Sequence, residues 1–265
     1  MAACACGVHT APGGFALAAL AIARGAGQST LDASWGEREL VRLAELLRAG
    51  SVRARDRPPA SVFGEVLFGQ LGFVREVTDT SLRFVLLPSV LRARRGNCVG
   101  LGTLVLALAE MLGHTAHGVL MPGHFYVRFD ERGMSKNMEL LRRGEAMSDA
   151  WYAGRFPIPG GAAAEYARPL SQREVRGVIE YDVGNERKRQ GRWQDARAAF
   201  ARSATLFPAF AEAHASLGAT LQLLGRFDEA AASYARARTA NPDLPGLAWN
   251  SAVLDQERAL PAPAP

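Results

Sequence analysis

A repeat of 34 residues in the last third of the chain restricts its fold more than any other feature. The segment GRWQDARAAFARSATLFPAFAEA begins at Gly191, and GRFDEAAASYARARTANPDLPGL begins at Gly225. Small residues at matched places let two antiparallel helices approach closely, and aromatic residues fill the gap to the next pair. The repeat therefore predicts stacked helical hairpins. The matched pairs are Gly184 with Gly218, Trp193 with Phe227, Ala196 with Ala230, Phe200 with Tyr234, and Pro208 with Pro242.

This pattern resembles the tetratricopeptide repeat, whose period is also 34 residues. The resemblance implies an all-α region over residues 172–260, with two units and a partial helix over 247–260. It also places Trp193 and Phe227 in the core and makes a protein or peptide the expected partner. Because arrays of this kind usually need more than two units to be stable alone, we expect the region to pack on the preceding domain or on a partner.

Composition and charge indicate an ordinary globular protein. Hydrophobic residues make up 48% of the chain and charged residues 22%, and the net charge is +5. The basic residues are almost all arginines spread along the chain, and the short runs at 92–95 and 142–143 fit solvated faces. We therefore expect no nucleic acid partner. The sequence leaves the oligomeric state open.

The first residues of the chain leave two cellular locations open. Residues 1–13 are expected to form a flexible leader, and the apolar run Phe15–Ala23 is too short to span a membrane and lacks the basic stretch of a signal peptide. Three cysteines form neither a disulfide framework nor a zinc pattern, which favours the cytoplasm. Met1-Ala2-Ala3-Cys4 resembles the end of a lipoprotein cleavage site, so a periplasmic lipoprotein with an upstream start is the alternative.

A cysteine lies at the predicted start of a long helix in the segment RRGNCVGLGTLVLALAEMLGHTAHGVLMPGHFYVRF, which runs from Arg94 to Phe129. Apolar residues follow at helical spacing as far as Gly113, and Asn97 is a favourable N-cap. The helix N-terminus favours the thiolate form of Cys98, the form that acts as a nucleophile. Arg94 and Arg95 add positive charge nearby.

A histidine begins one strand of a predicted hairpin that follows this helix. HGVLM predicts a strand, Pro122-Gly123 a turn, and HFYVRF a second strand that begins at His124. The turn DERG leads to a third strand, on which Asn137 and Glu139 share a face. The hairpin can thus set a carboxylate or an amide beside His124. From the residues alone, a buried inert cysteine and an ordinary strand histidine remain open as the other interpretation.

The same segment resembles the core of the transglutaminase-like superfamily, and most closely its bacterial SirB branch. The matching elements are VLFGQLGF, LRARRGN and GVLMPGHFYVR, in that order and before helical repeats. The resemblance implies an α+β, papain-like cysteine-hydrolase core with N-terminal helices over residues 14–156. A linker over 157–171 and a tail over 261–265 complete the expected organisation. Trp151 and Tyr152 are expected to pack beneath the linker.

The resemblance also implies residue roles and an activity. Cys98 is the nucleophile, His124 the base, and Glu139 the preferred third member, with Asn137 as the alternative. The implied reaction is hydrolysis or acyl transfer at an amide or isopeptide bond of a protein or peptide, with no cofactor and no metal. Many SirB-branch relatives read RRGNP here and have no cysteine. The alternative is therefore a non-catalytic interaction or scaffold protein with a degenerate core, although Cys98 is retained in this chain.

Overall fold

The structure is a computed structural model, and it describes residues 11–53, 56–131, 133–160 and 164–259. The chain divides into two compact units. The first contains residues up to 156 together with 169–172, and the second contains residues 157–168 together with those from 173 onwards. The first unit mixes helices with a sheet and the second is built of helices, so the α+β class predicted for the core and the helical class predicted for the C-terminal region are both observed.

Helices form the N-terminal part of the first unit. Leu40, Leu43, Leu46 and Leu47 recur at helical spacing, which predicts a helix with an apolar face. Three of these leucines are buried, whereas Leu46 is 37% exposed. The segment SVFGEVLFGQLGF, with Val62, Val66, Leu67 and Leu71 on one face, predicts a helix that ends near Gly72. It is α-helical only as far as Phe63 and continues as a π-helix over Gly64–Gln70. The helices are α1 (Gly14–Gly25), α2 (Thr30–Arg53), α3 (Pro59–Phe63) and α4 (Leu87–Ala93).

Within the described residues, the first unit contains a sheet of five antiparallel strands, whose spatial order is Glu145–Met147, Met134–Glu139, His124–Glu131, Ala116–Met121 and Pro169–Leu170. Gly123 has a φ of +68°, which suits the tight turn that sets Met121 opposite His124. The predicted hairpin strands are confirmed. The strands are β3 (Ala116–Met121), β4 (His124–Glu131), β5 (Met134–Glu139), β6 (Glu145–Met147) and β7 (Pro169–Leu170); β1 (Val74–Arg75) and β2 (Arg95–Gly96) form a separate parallel pair.

Helix α5 (Cys98–Met111) is buried along most of its length and packs on the sheet. A Cβ on Gly102, one turn after Cys98, would lie 2.5 Å from the ring of Phe125 in β4. Beyond the other end of α5, the Phe63 ring contacts both His114 and Phe129, with centroid distances of 5.9 and 5.2 Å. The helix therefore runs along β4 in the same direction, and Cys98 lies at the end of the sheet where β4 begins.

The second unit is built of helical hairpins with matched close contacts. A Cβ on Gly184 would lie 2.5 Å from the Phe200 ring, and one on Gly218 would lie 2.7 Å from the Tyr234 ring. The prediction that Trp193 is a core residue is wrong, because as the first residue of its helix it remains 37% exposed. The helices are α7 (Gln172–Arg189), α8 (Trp193–Leu206), α9 (Ala211–Leu223), α10 (Phe227–Ala240) and α11 (Leu247–Ala259).

Some predictions concern parts of the chain outside the described residues. Cys4, Cys6 and most of the predicted leader fall there, as does the tail over 261–265. In the ranges that the structure describes, no helix combines the length and the apolar character needed to cross a membrane.

Candidate active site

Cys98 is the first residue of α5 and is partly buried. The side chain of Asn97 caps the helix, since its Oδ1 accepts a hydrogen bond of 2.9 Å from the N–H of Gly100. This confirms the predicted cap. Cys98 thus lies at a helix N-terminus, where the helix dipole stabilises a negative charge. That environment favours the thiolate.

The two arginines that precede Cys98 are both engaged with other groups. Arg94 donates to the carbonyl of Leu71 at 3.1 Å, and Arg95 forms an ion pair with Glu76 at 3.2 Å. Hydrogen bonds from the backbone N–H and hydroxyl of Thr78 lower the pKa of Glu76 to about 2, so this carboxylate stays charged. The positive charge of Arg95 is therefore balanced by Glu76, and this arginine contributes little to stabilising a thiolate at Cys98.

His124 and Glu139 form a buried pair at the start of β4. The His124 Nε2 and the Glu139 Oε2 are 2.7 Å apart, and the two side chains are only 3% and 2% exposed. The second oxygen of Glu139 accepts the N–H of Leu141 at 2.9 Å, which fixes the carboxylate. Because a carboxylate oxygen is the acceptor, Nε2 carries the proton and Nδ1 carries the lone pair. The imidazole thus has one nitrogen able to act as a base.

Asn137 does not contact His124 but belongs to a neighbouring network. Its Oδ1 accepts from the Nε of Arg128 at 2.8 Å, and its Nδ2 donates to Asp149 at 2.7 Å and to the Met147 carbonyl at 3.1 Å. Asn137 lies opposite Arg128 in the β4–β5 register, whereas Glu139 lies two residues nearer to the start of β4. Of the two candidate third members, the structure brings only Glu139 to the imidazole.

Helix α6 (Asp149–Arg155) covers this face of the sheet with aromatic rings. The Phe156 ring stacks on the imidazole of His124, with centroids 4.3 Å apart and an interplanar angle of 8°. Tyr152 stacks in the same way on Tyr126, at 3.7 Å and 12°. These rings exclude water from the His124–Glu139 pair, which strengthens its electrostatic interaction.

A match to a family model covers residues 35–175, more than half of the chain, and the model describes the Transglutaminase-like superfamily. The chain belongs to the transglutaminase-like superfamily. No curated protein matches it. Among solved structures it is similar to the one titled "Crystal structure of menin reveals the binding site for Mixed Lineage Leukemia (MLL) protein", with 13% identity over 87% of this chain and 71% of that chain and a TM-score of 0.37. A TM-score of this size supports no argument about fold or function.

The transglutaminase-like match includes every residue that the sequence singled out for chemistry: Cys98, His124, Asn137 and Glu139. The sequence did not reveal the contact of Phe156 with His124, and it assigned Tyr152 only to packing beneath the linker. A signal was present, since Asp149, Tyr152 and Phe156 are spaced by three and four residues and therefore share one helix face. What that face covers depends on the tertiary fold.

The two other histidines that the structure describes in the first unit, His114 and His117, have separate surroundings. His117 lies in β3, and its Nε2 is 3.3 Å from Asp130. His114 packs edge-on against Phe63, and burial lowers its pKa below the ordinary value. Within the described ranges, no three His, Cys, Asp or Glu side chains are grouped closely enough to hold a metal ion.

Proposed function

We propose that this protein is a cysteine hydrolase or acyl transferase that acts on an amide or isopeptide bond of a protein or peptide. Cys98 is the nucleophile, His124 the base, and Glu139 the group that orients the imidazole. The observation that carries the proposal is the buried 2.7 Å contact between Glu139 and the Nε2 of His124. It leaves Nδ1 as the basic nitrogen, at the same end of the sheet as the N-terminus of α5.

The residues act in two steps. In the first, Nδ1 of His124 takes the thiol proton, the Cys98 sulfur attacks the carbonyl carbon, and the C–N bond breaks as the departing amine takes the proton from the imidazolium. This step leaves a thioester on Cys98. In the second, water or an amine attacks the thioester, His124 accepts the proton of the attacking group, and the thiol is restored. Glu139 accepts the hydrogen bond from Nε2 throughout.

Several sequence features support the SirB-type assignment within the superfamily. The elements VLFGQLGF, LRARRGN and GVLMPGHFYVR occur in that branch's order, and this chain keeps the cysteine that many of its members lack. The second of these elements ends at Asn97, whose side chain caps α5. An intact cap and a cysteine directly after it are what an active member needs.

Alkylation of Cys98 tests the proposed function. In a chain with Cys4→Ser and Cys6→Ser, we expect iodoacetamide to react with Cys98 about tenfold faster at pH 6 than with a simple thiol, because a larger thiolate fraction outweighs the lower nucleophilicity of that thiolate. His124→Ala should remove this advantage, and Glu139→Gln should remove part of it. His117→Ala is the matched control, since His117 lies in the same sheet beside Asp130, and should leave the rate unchanged.

Two results would contradict the proposal. One is an alkylation rate at pH 6 equal to that of a simple thiol and unaffected by His124→Ala. The other is a larger loss of the Cys98 alkylation rate with Asn137→Ala than with Glu139→Gln. The first result would favour a non-catalytic scaffold. The burial of His124 and Glu139 beneath Phe156 also suits that function, because a buried hydrogen-bonded pair can serve structure alone.

We propose further that the second unit consists of tetratricopeptide repeats that recruit a protein or peptide to the first unit. The support is the 34-residue period together with the matched contacts of Gly184 with Phe200 and of Gly218 with Tyr234. Stacked hairpins of this kind present an extended surface suited to a peptide or a partner helix.

Equal losses at matched glycines would test the repeat assignment. Gly184→Ala and Gly218→Ala should each lower the free energy of unfolding by about 1–3 kcal/mol, because each new methyl group meets an aromatic ring. Urea unfolding of the full chain gives both values. Clearly unequal losses would argue against equivalent repeats. A partner held by the hairpins should bind both variants more weakly and should bind Cys98→Ala normally.

A further inference from the structure

Helix α6 is anchored to the sheet by one polar network. Asp149 at its start accepts hydrogen bonds from the guanidinium of Arg128 and from the side-chain amide of Asn137. Ser148 caps the helix through the N–H of Trp151. Because Asp149, Tyr152 and Phe156 share one helix face, this anchor aims both aromatic rings at the strand that begins with His124.

Phe156 restricts the orientation of the imidazole. A ring stacked nearly parallel on one face of the imidazole, with centroids 4.3 Å apart, hinders its rotation about the Cβ–Cγ bond. The hydrogen bond from Nε2 to Glu139 fixes the same ring at its edge. Together the two contacts hold Nδ1 in one direction.

The hydroxyl of Tyr152 is buried beside Glu139. Within the described residues it makes no hydrogen bond of regular geometry, which is unfavourable for a buried donor. Burial and, next, the negative charge of Glu139 raise the pKa of Tyr152 above its ordinary value, so the hydroxyl remains a donor. The ring itself is held by its stack on Tyr126. The same ring lies 6.1 Å from the imidazole of His124, centroid to centroid.

We propose that Phe156 and Tyr152 are positioning residues for the His124–Glu139 pair, an inference that rests on the proposed function. Phe156 holds the imidazole plane so that Nδ1 keeps one direction. The Tyr152 hydroxyl donates to Glu139 when the imidazole gains its second proton. An added donor makes the carboxylate less basic, so the proton on Nε2 stays on the imidazole and is not passed to Glu139. The polar network of Arg128, Asn137 and Asp149 sets the place of both rings.

Nitrogen NMR of the imidazoles in the full chain measures the tautomer of His124. The His124 signal is assigned by its loss in His124→Gln. We expect a single Nε2–H tautomer in the natural chain, an averaged signal in Phe156→Leu, and recovery of the single tautomer in Phe156→Tyr. For Tyr152→Phe, which keeps the ring and loses the hydroxyl, we expect the tautomer to persist and the pH profile of Cys98 alkylation to shift, with a rate change of about tenfold at pH 6. Gly154→Ala is the control on the same helix, because an added methyl group there meets nothing within 4 Å.

The two proposals fail in different ways. If Cys98 reacts fast and depends on His124, but Phe156→Leu and Tyr152→Phe change neither the tautomer nor the pH profile, the positioning proposal is overturned and the proposed function stands. If the natural chain shows a single tautomer that Phe156→Leu disrupts, but Cys98 reacts as a simple thiol in every variant, the proposed function is overturned, and the positioning role falls with it despite the ring contact.

Discussion

Gly100→Ala is expected to lower the free energy of unfolding by about 3 kcal/mol or more, the largest loss from a single methyl group in the first unit. A Cβ on Gly100 would lie 2.2 Å from the backbone carbonyl oxygen of Phe84 and 2.9 Å from a methyl of Val90. That carbonyl cannot retreat freely, because it accepts the N–H of Asn97 at 2.9 Å. The helix start that carries Cys98 must therefore shift.

Urea unfolding of the full chain, followed by circular dichroism, measures this loss. The matched control is Gly154→Ala in α6, where an added methyl group has open space and should stabilise the protein by up to about 1 kcal/mol through better helix propensity. Equal unfolding midpoints for Gly100→Ala and the natural chain would show that the Phe84 carbonyl yields easily, and the packing argument would be wrong.

Glu165→Gln is expected to stabilise the second unit at alkaline pH by about 2–3 kcal/mol and to have little effect near pH 5. Glu165 is 0% exposed, and one of its oxygens is held by the side-chain amide of Asn241 at 3.3 Å while the other has no partner among the described residues. Burial, and after it the charge of Glu212, raise the pKa of Glu165 to about 7.

The sign follows from the direction of that shift. A carboxyl group whose pKa is higher in the folded state binds its proton more tightly there, so folding is favoured while the group is protonated. The stability is complete below the ordinary glutamate pKa and is lost as the pH rises through about 7. A neutral glutamine keeps the acceptor for Asn241 and carries no charge at any pH, so its advantage should grow between pH 5 and pH 8.

Unfolding curves of the full chain at pH 5 and pH 8 give this difference. Some pH dependence should persist in Glu165→Gln, because burial also raises the pKa of Asp182 to about 7. Glu229→Gln is the control, since Glu229 forms an exposed ion pair with Arg226 and should change stability by less than about 1 kcal/mol. A constant gap between Glu165→Gln and the natural chain at both pH values would refute the buried-charge account.

Local patterns were sufficient to predict much of this fold. Apolar residues at helical spacing after Asn97 predicted α5, and alternation around Pro122-Gly123 predicted the β3–β4 hairpin, because both signals depend only on neighbouring residues. The 34-residue period likewise predicted the helical hairpins, since each hairpin is a local unit. The same signals were weaker at Val62–Leu71, where an apolar face does not distinguish an α-helix from a π-helical turn.

Local spacing was enough to assign Cys98, His124, Asn137 and Glu139 to their elements, because helix starts and strand faces depend on neighbouring residues. Which of these side chains meet depends on how the elements pack. Asn137 and Glu139 share a face of β5, so alternation could not choose between them; the β4–β5 register sets Asn137 opposite Arg128 and leaves Glu139 to His124. The stacking of the Phe156 ring on the imidazole of His124 also depends on the tertiary fold, because the two residues are far apart in the chain.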